Sequence, residues 1–283
     1  AAFTAQRVGQ HPAAAHWAAH RAQWPALQTL WALPDAAGPA LPEGVGCLEA
    51  ALAAVQPWSA AQMRDHLRAI GLTAHDVFTV CWTSGTEARA KGVPRNHNEW
   101  IVVGQSVVDA GQLQPGCQMV IPFPFVNMAG ISTSLIAWLL TGGGLHHHHP
   151  FDVDVFVSQL RAHPTDYTVA APAVLSMLLK SPEKLDGVDL HRLRRVGSGG
   201  GPVAGWLVAQ LAERFGIEVV NYFGSNEGAA LSSTPQDIPD REHRARYFPR
   251  FGVPGFQWSL RNAQRVRTRL VDPDTEREIT ESG

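Results

Sequence analysis

Residues 82–92 read WTSGTEARAKG and directly follow a short apolar run, VFTVC, at residues 77–81. Glycine and small hydroxylated residues behind a strand allow backbone N–H groups and hydroxyls to converge on phosphate oxygens. Lys91 would add a mobile positive charge at the far end of the loop. The stretch therefore predicts a strand followed by a phosphate-binding loop, although its spacing does not fit the GxxxxGK[ST] pattern of a P-loop. An ordinary surface loop is the alternative that this composition leaves open.

The composition indicates a folded protein without a polyanionic or membrane partner. Of the 283 residues, 45% are hydrophobic and 17% are charged, which suits one large domain or two small ones. A net charge of −2 gives no reason to expect nucleic acid as a partner. No apolar run approaches the ~20 residues that span a bilayer. Few cysteines, without metal-type spacing, and an N-terminus without a signal-peptide pattern predict a cytoplasmic location.

Three parts are predicted along the chain. Residues 1–75 are alanine-rich and helix-prone, which predicts a partial N-terminal helical or αβ region. Residues 76–250 alternate apolar runs with amphipathic stretches, which is typical of an α/β core with covered, mostly parallel sheets and flanking helices. Residues 251–283 contain an alternating pattern at 264–271 that stops at a turn, so they predict a small antiparallel β subdomain at the C-terminal end.

Within the α/β core, local patterns predict alternating strands and helices. The predicted strands span residues 77–81, 119–122, 167–170, 193–196 and 217–222. The predicted helices span residues 97–110, 131–140, 153–160 and 202–215. Asn96 and Glu99 have the spacing of a capping box, and Asp152 is placed to cap the helix that follows it.

A second glycine-bearing loop, GSGGGP, lies at residues 197–202 between a predicted strand and a predicted helix. Residues 199–204 satisfy a loose dinucleotide fingerprint, but no acidic residue ends the next strand. A tight turn that packs a helix closely on a sheet explains the loop equally well, and a nicotinamide-binding oxidoreductase stays open as an alternative.

A third loop, NYFGSNEG, lies at residues 221–228 after another predicted strand. Phe223 offers a ring on which a planar base can stack, and Glu227 offers carboxylate oxygens to a hard cation. Taken alone, a carboxylate in such a loop is most often a solvated surface group.

Together, and in this order, the three loops resemble the adenylate-forming (AMP-binding) superfamily. Residues 82–92 resemble its TSGTTGxPKG phosphate loop, residues 197–202 its SGGAP turn, and residues 221–228 its YGxTE motif. Residues 149–152, HPFD, are similar to the HPxFD strand end of the same family. The resemblance covers about residues 76–283 and fits the central part of the large N-terminal domain of acyl-CoA synthetases and other carboxylate–CoA ligases.

The resemblance implies a two-step reaction, in which ATP activates a small-molecule carboxylic acid to an acyl-adenylate and a thiol then takes the acyl group. Coenzyme A is the implied thiol acceptor, and a carrier-protein thiol is the alternative. Lys91 and Glu227 are the implied catalytic residues, with Glu227 as the Mg²⁺ ligand. The implied nucleotide-binding residues are Thr83, Ser84, Gly85, Thr86, Lys91, Gly199, Gly200, Gly201, Asn221, Tyr222, Phe223, Gly224, Ser225 and Asn226.

Two departures from the family pattern bear on the acid. Phe125 replaces a histidine of the family's PxFH motif, and Phe125 and Asn127 are expected in the substrate pocket. Relatives that activate amino acids carry an aspartate after a phenylalanine here, whereas Val126 follows Phe125 in this chain. The expected substrate is therefore an acid without an amino group.

The length of the chain gives a further expectation. The family continues past residue 283 into a small mobile domain with a lysine that acts in adenylation, so we expect a truncated chain that is poorly active alone. A non-catalytic scaffold with the same fold is a further alternative. The run His146-His-His-His149 predicts the edge of a strand, with metal binding by a pair such as His146 and His148 as the alternative.

Overall fold

The computed structural model describes residues 1–36, 38–83, 89–228 and 230–279. It divides the chain into two compact units, Ala1–Leu72 and Thr73–Gly283. No described helix combines the length and apolarity that a bilayer crossing requires.

The first unit is a small α/β arrangement. Its parallel sheet has the strand order β1-β2-β3, with bounds Ala2–Ala5, Leu30–Leu33 and Val45–Cys47. Its helices are α1 (Ala13–Ala19), α2 (Leu48–Ala54) and α3 (Ala60–Ala69). Strands therefore accompany the helices that the alanine-rich composition predicts.

The second unit is built on a six-stranded sheet with the order β11-β10-β9-β8-β6-β7. All neighbouring strands are parallel except β10 and β11, which are antiparallel. The strands are β6 (Met119–Ile121), β7 (Leu145–His147), β8 (Tyr167–Val169), β9 (Arg195–Gly199), β10 (Glu218–Gly224) and β11 (Ala230–Ser233). The predicted α/β class with a mostly parallel, covered sheet is confirmed.

Helices bury the two faces of this sheet. They are α4 (His97–Gly111), α5 (Met128–Gly130), α6 (Ile136–Thr141), α7 (Val153–Ala162), α8 (Pro172–Lys180), α9 (Gly205–Phe215) and α10 (Arg241–Arg246). Val196, Leu207 and Val219 are essentially fully buried in one cluster between the sheet, α8 and α9. Burying such side chains contributes ~1.5–3 kcal/mol each. Asp152 caps α7, as predicted, by accepting from the N–H groups of Asp154 and Val155.

An antiparallel pair, β4 (Val77–Trp82) and β5 (Gly92–Asn96), precedes α4. Asn96 and Glu99 form the predicted capping box: the Asn96 side chain accepts from the Glu99 N–H at 2.9 Å, and the Glu99 carboxylate accepts from the Asn96 N–H at 2.8 Å. The indole Nε1 of Trp100 donates to Thr79 Oγ1 at 2.9 Å, which fixes α4 to β4.

We expect Asn96→Ala to lower the free energy of unfolding by about 1 kcal/mol, because the first turn of α4 loses an acceptor for its N–H groups. Urea unfolding measures the change. The matched control is Asn98→Ala, whose side chain is exposed on the same turn. An equal loss in both variants would contradict a specific role for the cap.

Several predicted bounds need correction. The strand predicted at 193–196 is Arg195–Gly199, and the strand predicted at 217–222 continues to Gly224, so both glycine-bearing loops begin inside the sheet. The helix predicted at 202–215 begins only at Gly205. The helix predicted at 131–140 starts as a π-helical turn, Ile131–Leu135.

The C-terminal pairing is smaller than predicted. Among the described residues beyond 250, no strand forms over 264–271; the antiparallel pairing there is a single bridge between Val271 and Glu278. Alternation alone does not make a strand when no neighbouring strand satisfies its backbone. The predicted division of the chain at residue 250 stays a prediction.

Candidate functional site

The base of the first predicted loop is closed by Thr83 and Lys91. The Thr83 N–H donates to the Lys91 carbonyl at 2.9 Å, and the Lys91 N–H donates to Thr83 Oγ1 at 3.2 Å. Lys91 is exposed and directly precedes β5. The predicted phosphate-binding residues Ser84, Gly85 and Thr86 lie outside the described residues.

The second loop begins where β9 lies directly against β10. A Cβ on Gly199 would lie 2.3 Å from the Tyr222 carbonyl oxygen, so only glycine fits there without moving the strands. Gly200 has a φ of +76°, which L side chains rarely adopt. A Cβ on Gly201 would meet no atom within 4 Å. Gly199 thus allows the backbones of β9 and β10 to approach closely, and the space beside Gly201 stays open.

The third loop follows β10 and contains a tight turn. The Gly228 N–H donates to the Ser225 carbonyl at 3.2 Å, which closes a turn over residues 225–228, named here the 225–228 turn. Glu227 is exposed at this turn. Phe223 is 50% exposed, with one face near Phe248, so a substantial part of its ring is open to a planar ligand.

The side chains of Asn221 and Tyr222, two of the predicted site residues, form hydrogen bonds with other parts of the fold. The Asn221 amide donates to the carbonyls of Arg244 and Ala245 at 3.2 and 2.9 Å and thereby holds the end of α10. The Tyr222 hydroxyl lies 2.9 Å from the Tyr167 hydroxyl. Burial raises the pKa of both phenols, so both are neutral hydroxyls at physiological pH.

Arg95 connects the first loop to the third. It is buried on β5, four positions after Lys91, and its Nε donates to the Asn226 carbonyl at 3.3 Å. Arg95 was not predicted from the sequence, because arginine side chains are mostly exposed and nothing near Arg95 in sequence indicates that it is buried.

An inner cavity of about 290 Å³ lies between β10, β11 and the helices α4 and α5. Val103, Ser106 and Val107 of α4 line one side, and Asn127 and Phe123 lie at another. The lining also contains Met128, Ser132, Thr133, Leu231, Ser232 and the predicted site residues Gly199, Gly200, Tyr222, Phe223, Gly224, Ser225 and Asn226. No charged side chain of the described residues lines it.

A larger outer cleft of about 1040 Å³ lies on the other side of the same loops. Its lining includes Gly201, Asn221 and Phe248, and its rim carries Glu242 and Arg246. The inner cavity and the outer cleft share one wall, which consists of Gly200, Tyr222, Phe223 and Gly224. An apolar ligand in the inner cavity and a ligand with a planar ring in the outer cleft would therefore lie next to each other, on either side of this wall.

The two predicted pocket residues lie in different surroundings. Asn127 lines the inner cavity and caps α5, with its Oδ1 accepting from the Gly130 N–H at 2.8 Å. Phe125 instead stacks on His147, with ring centroids 4.1 Å apart, and is not among the residues that line the cavity. Phe123, two residues earlier, faces the cavity. The predicted role of Phe125 stays a prediction without support from this placement.

His146 and His148 of the histidine run have different neighbours. His146 stacks on His163 with ring centroids 3.5 Å apart, and burial together with this neighbour lowers the pKa of His146. His148 lies 2.8 Å from the Gln159 side chain. In the part of the chain that the structure describes, no group of three His, Cys, Asp or Glu residues is placed to hold a metal ion.

Comparison with known proteins identifies a family and a fold. The AMP-binding enzyme family matches residues 20–283. Over 173 residues, the chain is 27% identical to the 3-[(3aS,4S,7aS)-7a-methyl-1,5-dioxo-octahydro-1H-inden-4-yl]propanoyl:CoA ligase of Mycobacterium tuberculosis, a match that covers 60% of this chain and 34% of that ligase.

Two solved structures have a similar fold. The anthranilate CoA ligase AuaEII, in complex with anthranoyl-AMP, superposes with a TM-score of 0.69 at 18% identity, covering 93% of this chain and 46% of that one. The amide bond synthetase McbA from Marinactinospora thermotolerans gives a TM-score of 0.63 at 24% identity, covering 88% and 45%. The chain thus spans about a third of the curated ligase and less than half of either solved structure.

Proposed function

Because this chain belongs to the family of AMP-binding enzymes, we propose that it activates a small carboxylic acid with ATP. A carboxylate oxygen attacks the α-phosphorus, the bond from that phosphorus to pyrophosphate breaks, and an acyl-adenylate forms. The proposal is an AMP-forming ligase of the acyl-CoA synthetase type.

One observation supports this proposal most directly: the inner cavity and the outer cleft share the wall of Gly200 and residues 222–224. The acid's tail would lie in the inner cavity, and the adenosine would lie in the outer cleft beside Phe223. The carboxylate and the α-phosphate would then meet at the edge of the shared wall. Holding two reactants in this way removes much of the entropic cost of bringing them together.

Charge neutralisation is the second part of the proposed chemistry. A carboxylate that approaches a triphosphate meets like-charge repulsion, so catalysis depends on positive charge and hydrogen-bond donors placed around the phosphates. We assign this role to Lys91 and Thr83, together with Ser84, Gly85 and Thr86. Gly200, Gly201, Asn221, Tyr222 and Gly224 line the outer cleft and would enclose the nucleoside. Gly199, Ser225 and Asn226 line the inner cavity, so their proposed nucleotide contacts would lie on that side of the shared wall.

Glu227 is compatible with a role in holding Mg²⁺. Protein sites for Mg²⁺ with nucleotides commonly use one or two carboxylates and complete the coordination with phosphate oxygens and water. An exposed carboxylate on the 225–228 turn fits that requirement, and a cluster of three protein ligands is not needed. When bound, Mg²⁺ would neutralise part of the phosphate charge.

The volume and the uncharged lining of the inner cavity favour a particular class of acid substrate. Its volume of about 290 Å³ lies at the small end of the ~300–1,000 Å³ range of small-molecule sites, which favours a small acid. A charged tail would be desolvated there without a charged partner, which is costly. We therefore propose an aromatic or short aliphatic acid with an uncharged tail, in agreement with the sequence-based expectation of an acid without an amino group.

The acceptor of the acyl group is proposed by analogy with relatives. The curated ligase above is named as a CoA ligase, which favours coenzyme A, and McbA is named as an amide bond synthetase, so an amine is a second class of acceptor within this fold. A carrier-protein thiol is the third. Low turnover by this chain alone also stays part of the proposal.

ATP–pyrophosphate exchange tests the function, because labelled pyrophosphate enters ATP only when the adenylate forms reversibly. We expect exchange with benzoic, 3-phenylpropenoic and octanoic acids, and at least tenfold less with hexadecanoic acid or free amino acids. Exchange only with amino acids would overturn the substrate class. Because low turnover by this chain alone is part of the proposal, exchange is measured over long incubations against an acid-free blank. ATP binding with exchange no higher than that blank for every acid would favour the non-catalytic scaffold, and NADH binding would favour the oxidoreductase.

A further inference from the structure

Arg95 is a buried arginine without an acidic partner in the described part of the chain. Only 4% of its surface is exposed. Its guanidinium carbon lies 5.5 Å from the centroid of the Trp100 ring, and no described carboxylate lies within ion-pair distance of it. Burying a guanidinium is unfavourable unless its N–H groups find acceptors, so the acceptors that Arg95 does find are informative.

Those acceptors are two successive carbonyls of the 225–228 turn. Arg95 Nε lies 3.3 Å from the Asn226 carbonyl, and Nη2 lies 3.5 Å from the Ser225 carbonyl. The Ser225 carbonyl also accepts from the Gly228 N–H and closes the turn. The guanidinium therefore joins the hydrogen bonding that defines the turn, while the Glu227 side chain stays exposed.

Other contacts fix the guanidinium itself. Nη2 lies 3.5 Å from Met128 Sδ, at the start of α5, and the Trp100 ring lies on another side. Trp100 is fully buried in one cluster with Met128. Held in this way, the planar fork has a fixed direction and can reach two carbonyls at once, which the single ammonium group of a lysine cannot do equally well.

We propose that Arg95 is a positioning residue that clamps the 225–228 turn to β5 and thereby fixes Glu227 relative to Lys91. Lys91 and Glu227 lie on segments far apart in sequence. Arg95 lies four residues after Lys91, and its acceptor Asn226 directly precedes Glu227, so the contact between them connects the two segments. The clamp follows from the contacts alone; its importance for nucleotide binding rests on the proposed function.

Hydrogen–deuterium exchange of the ligand-free 283-residue chain tests the clamp without any activity. In Arg95→Met, we expect amide exchange in peptides covering residues 225–228 to become at least tenfold faster, because two carbonyls of the turn lose their donor. Arg95→Lys keeps the charge but places its donors on a single nitrogen, so it should restore part of the protection. If Arg95→Met does not fold, Arg95→Lys and Arg95→Gln supply the measurement, each with intermediate acceleration expected.

Arg214→Met is the matched control. Arg214 also donates to a backbone carbonyl, that of Leu179 at 3.0 Å, and lies over a ring, that of Phe215 at 5.3 Å, but neither contact involves a described residue of the three loops. It should leave exchange at residues 225–228 unchanged. Unchanged exchange in the Arg95 variants, or an equal acceleration in Arg214→Met, would overturn the clamp.

ATP titration then separates the clamp from the proposed function. If the wild-type chain binds ATP, Arg95→Met should weaken that binding at least fivefold, whereas Arg214→Met should not. If the wild-type chain binds no ATP, the proposed function fails, and the exchange measurement still decides the clamp on its own.

Discussion

Gly199→Ala should lose both stability and nucleotide binding. The new methyl group would lie 2.3 Å from the Tyr222 carbonyl oxygen and 3.2 Å from the Tyr222 Cβ, so β9 and β10 have to move apart. These strands pair over Glu218–Arg195 through Tyr222–Gly199 and carry the wall shared by the two cavities. Because overpacking costs ~1–3 kcal/mol and a backbone oxygen cannot swing aside, we expect a loss near or above the upper end of that range. Thermal unfolding and ATP titration measure the two effects.

Gly201→Ala is the control for this prediction. It adds the same methyl group two residues away, where nothing lies within 4 Å and φ is not in the left-handed region. We expect its stability to stay within ~0.5 kcal/mol of the wild type, as for surface substitutions generally. Equal losses in the two variants would show that the close approach of β9 and β10 is not what requires a glycine.

Lys91→Met should weaken ATP binding about 10- to 100-fold, because a hydrogen bond to a charged group contributes ~1.5–3 kcal/mol and each 1.4 kcal/mol is tenfold in affinity. Under the proposed function, Lys91 contacts the β- and γ-phosphates. The affinity for AMP, which lacks both, should therefore change less than threefold. Calorimetric titration with the two nucleotides gives the comparison.

Arg89→Met removes the same charge two residues earlier in the chain. Arg89 lies within the segment whose ends are Thr83 and Lys91, and the proposal gives it no phosphate contact, so ATP affinity should fall less than threefold. If both variants weakened ATP binding equally, general electrostatic attraction would explain the effect, and a specific role for Lys91 would be wrong.

Local features of the fold were predictable because short-range physics determines them. The capping box of α4, the Asp152 cap of α7 and the apolar runs, such as those of β6 and β10, depend on residues within a few positions of one another. The glycines at the end of β9 were also recognisable as a close turn. Their position inside the strand was not, since it depends on the approach of the Tyr222 backbone.

The parts of the site that were missed depend on long-range contacts. Arg95 and Asn226 are separated by 131 positions, so no local pattern connects them. Phe123, Phe125 and Asn127 lie in one irregular segment, where neither a helical nor a strand period predicts which side chain faces the cavity. The alternation at 264–271 predicted a strand, but a strand also needs a neighbouring strand along its length, and the described residues provide only the single bridge between Val271 and Glu278.

Helix α4 contributes to the inner cavity through Val103, Ser106 and Val107 and does not contribute to the outer cleft. Under the proposed function, acid preference would therefore change by mutation along this helical face while nucleotide recognition is kept. Exchanges of side-chain volume at these three positions would admit bulkier or smaller acids and leave the proposed nucleoside-binding loops unaltered. A designer seeking a new acyl donor would begin on this helix.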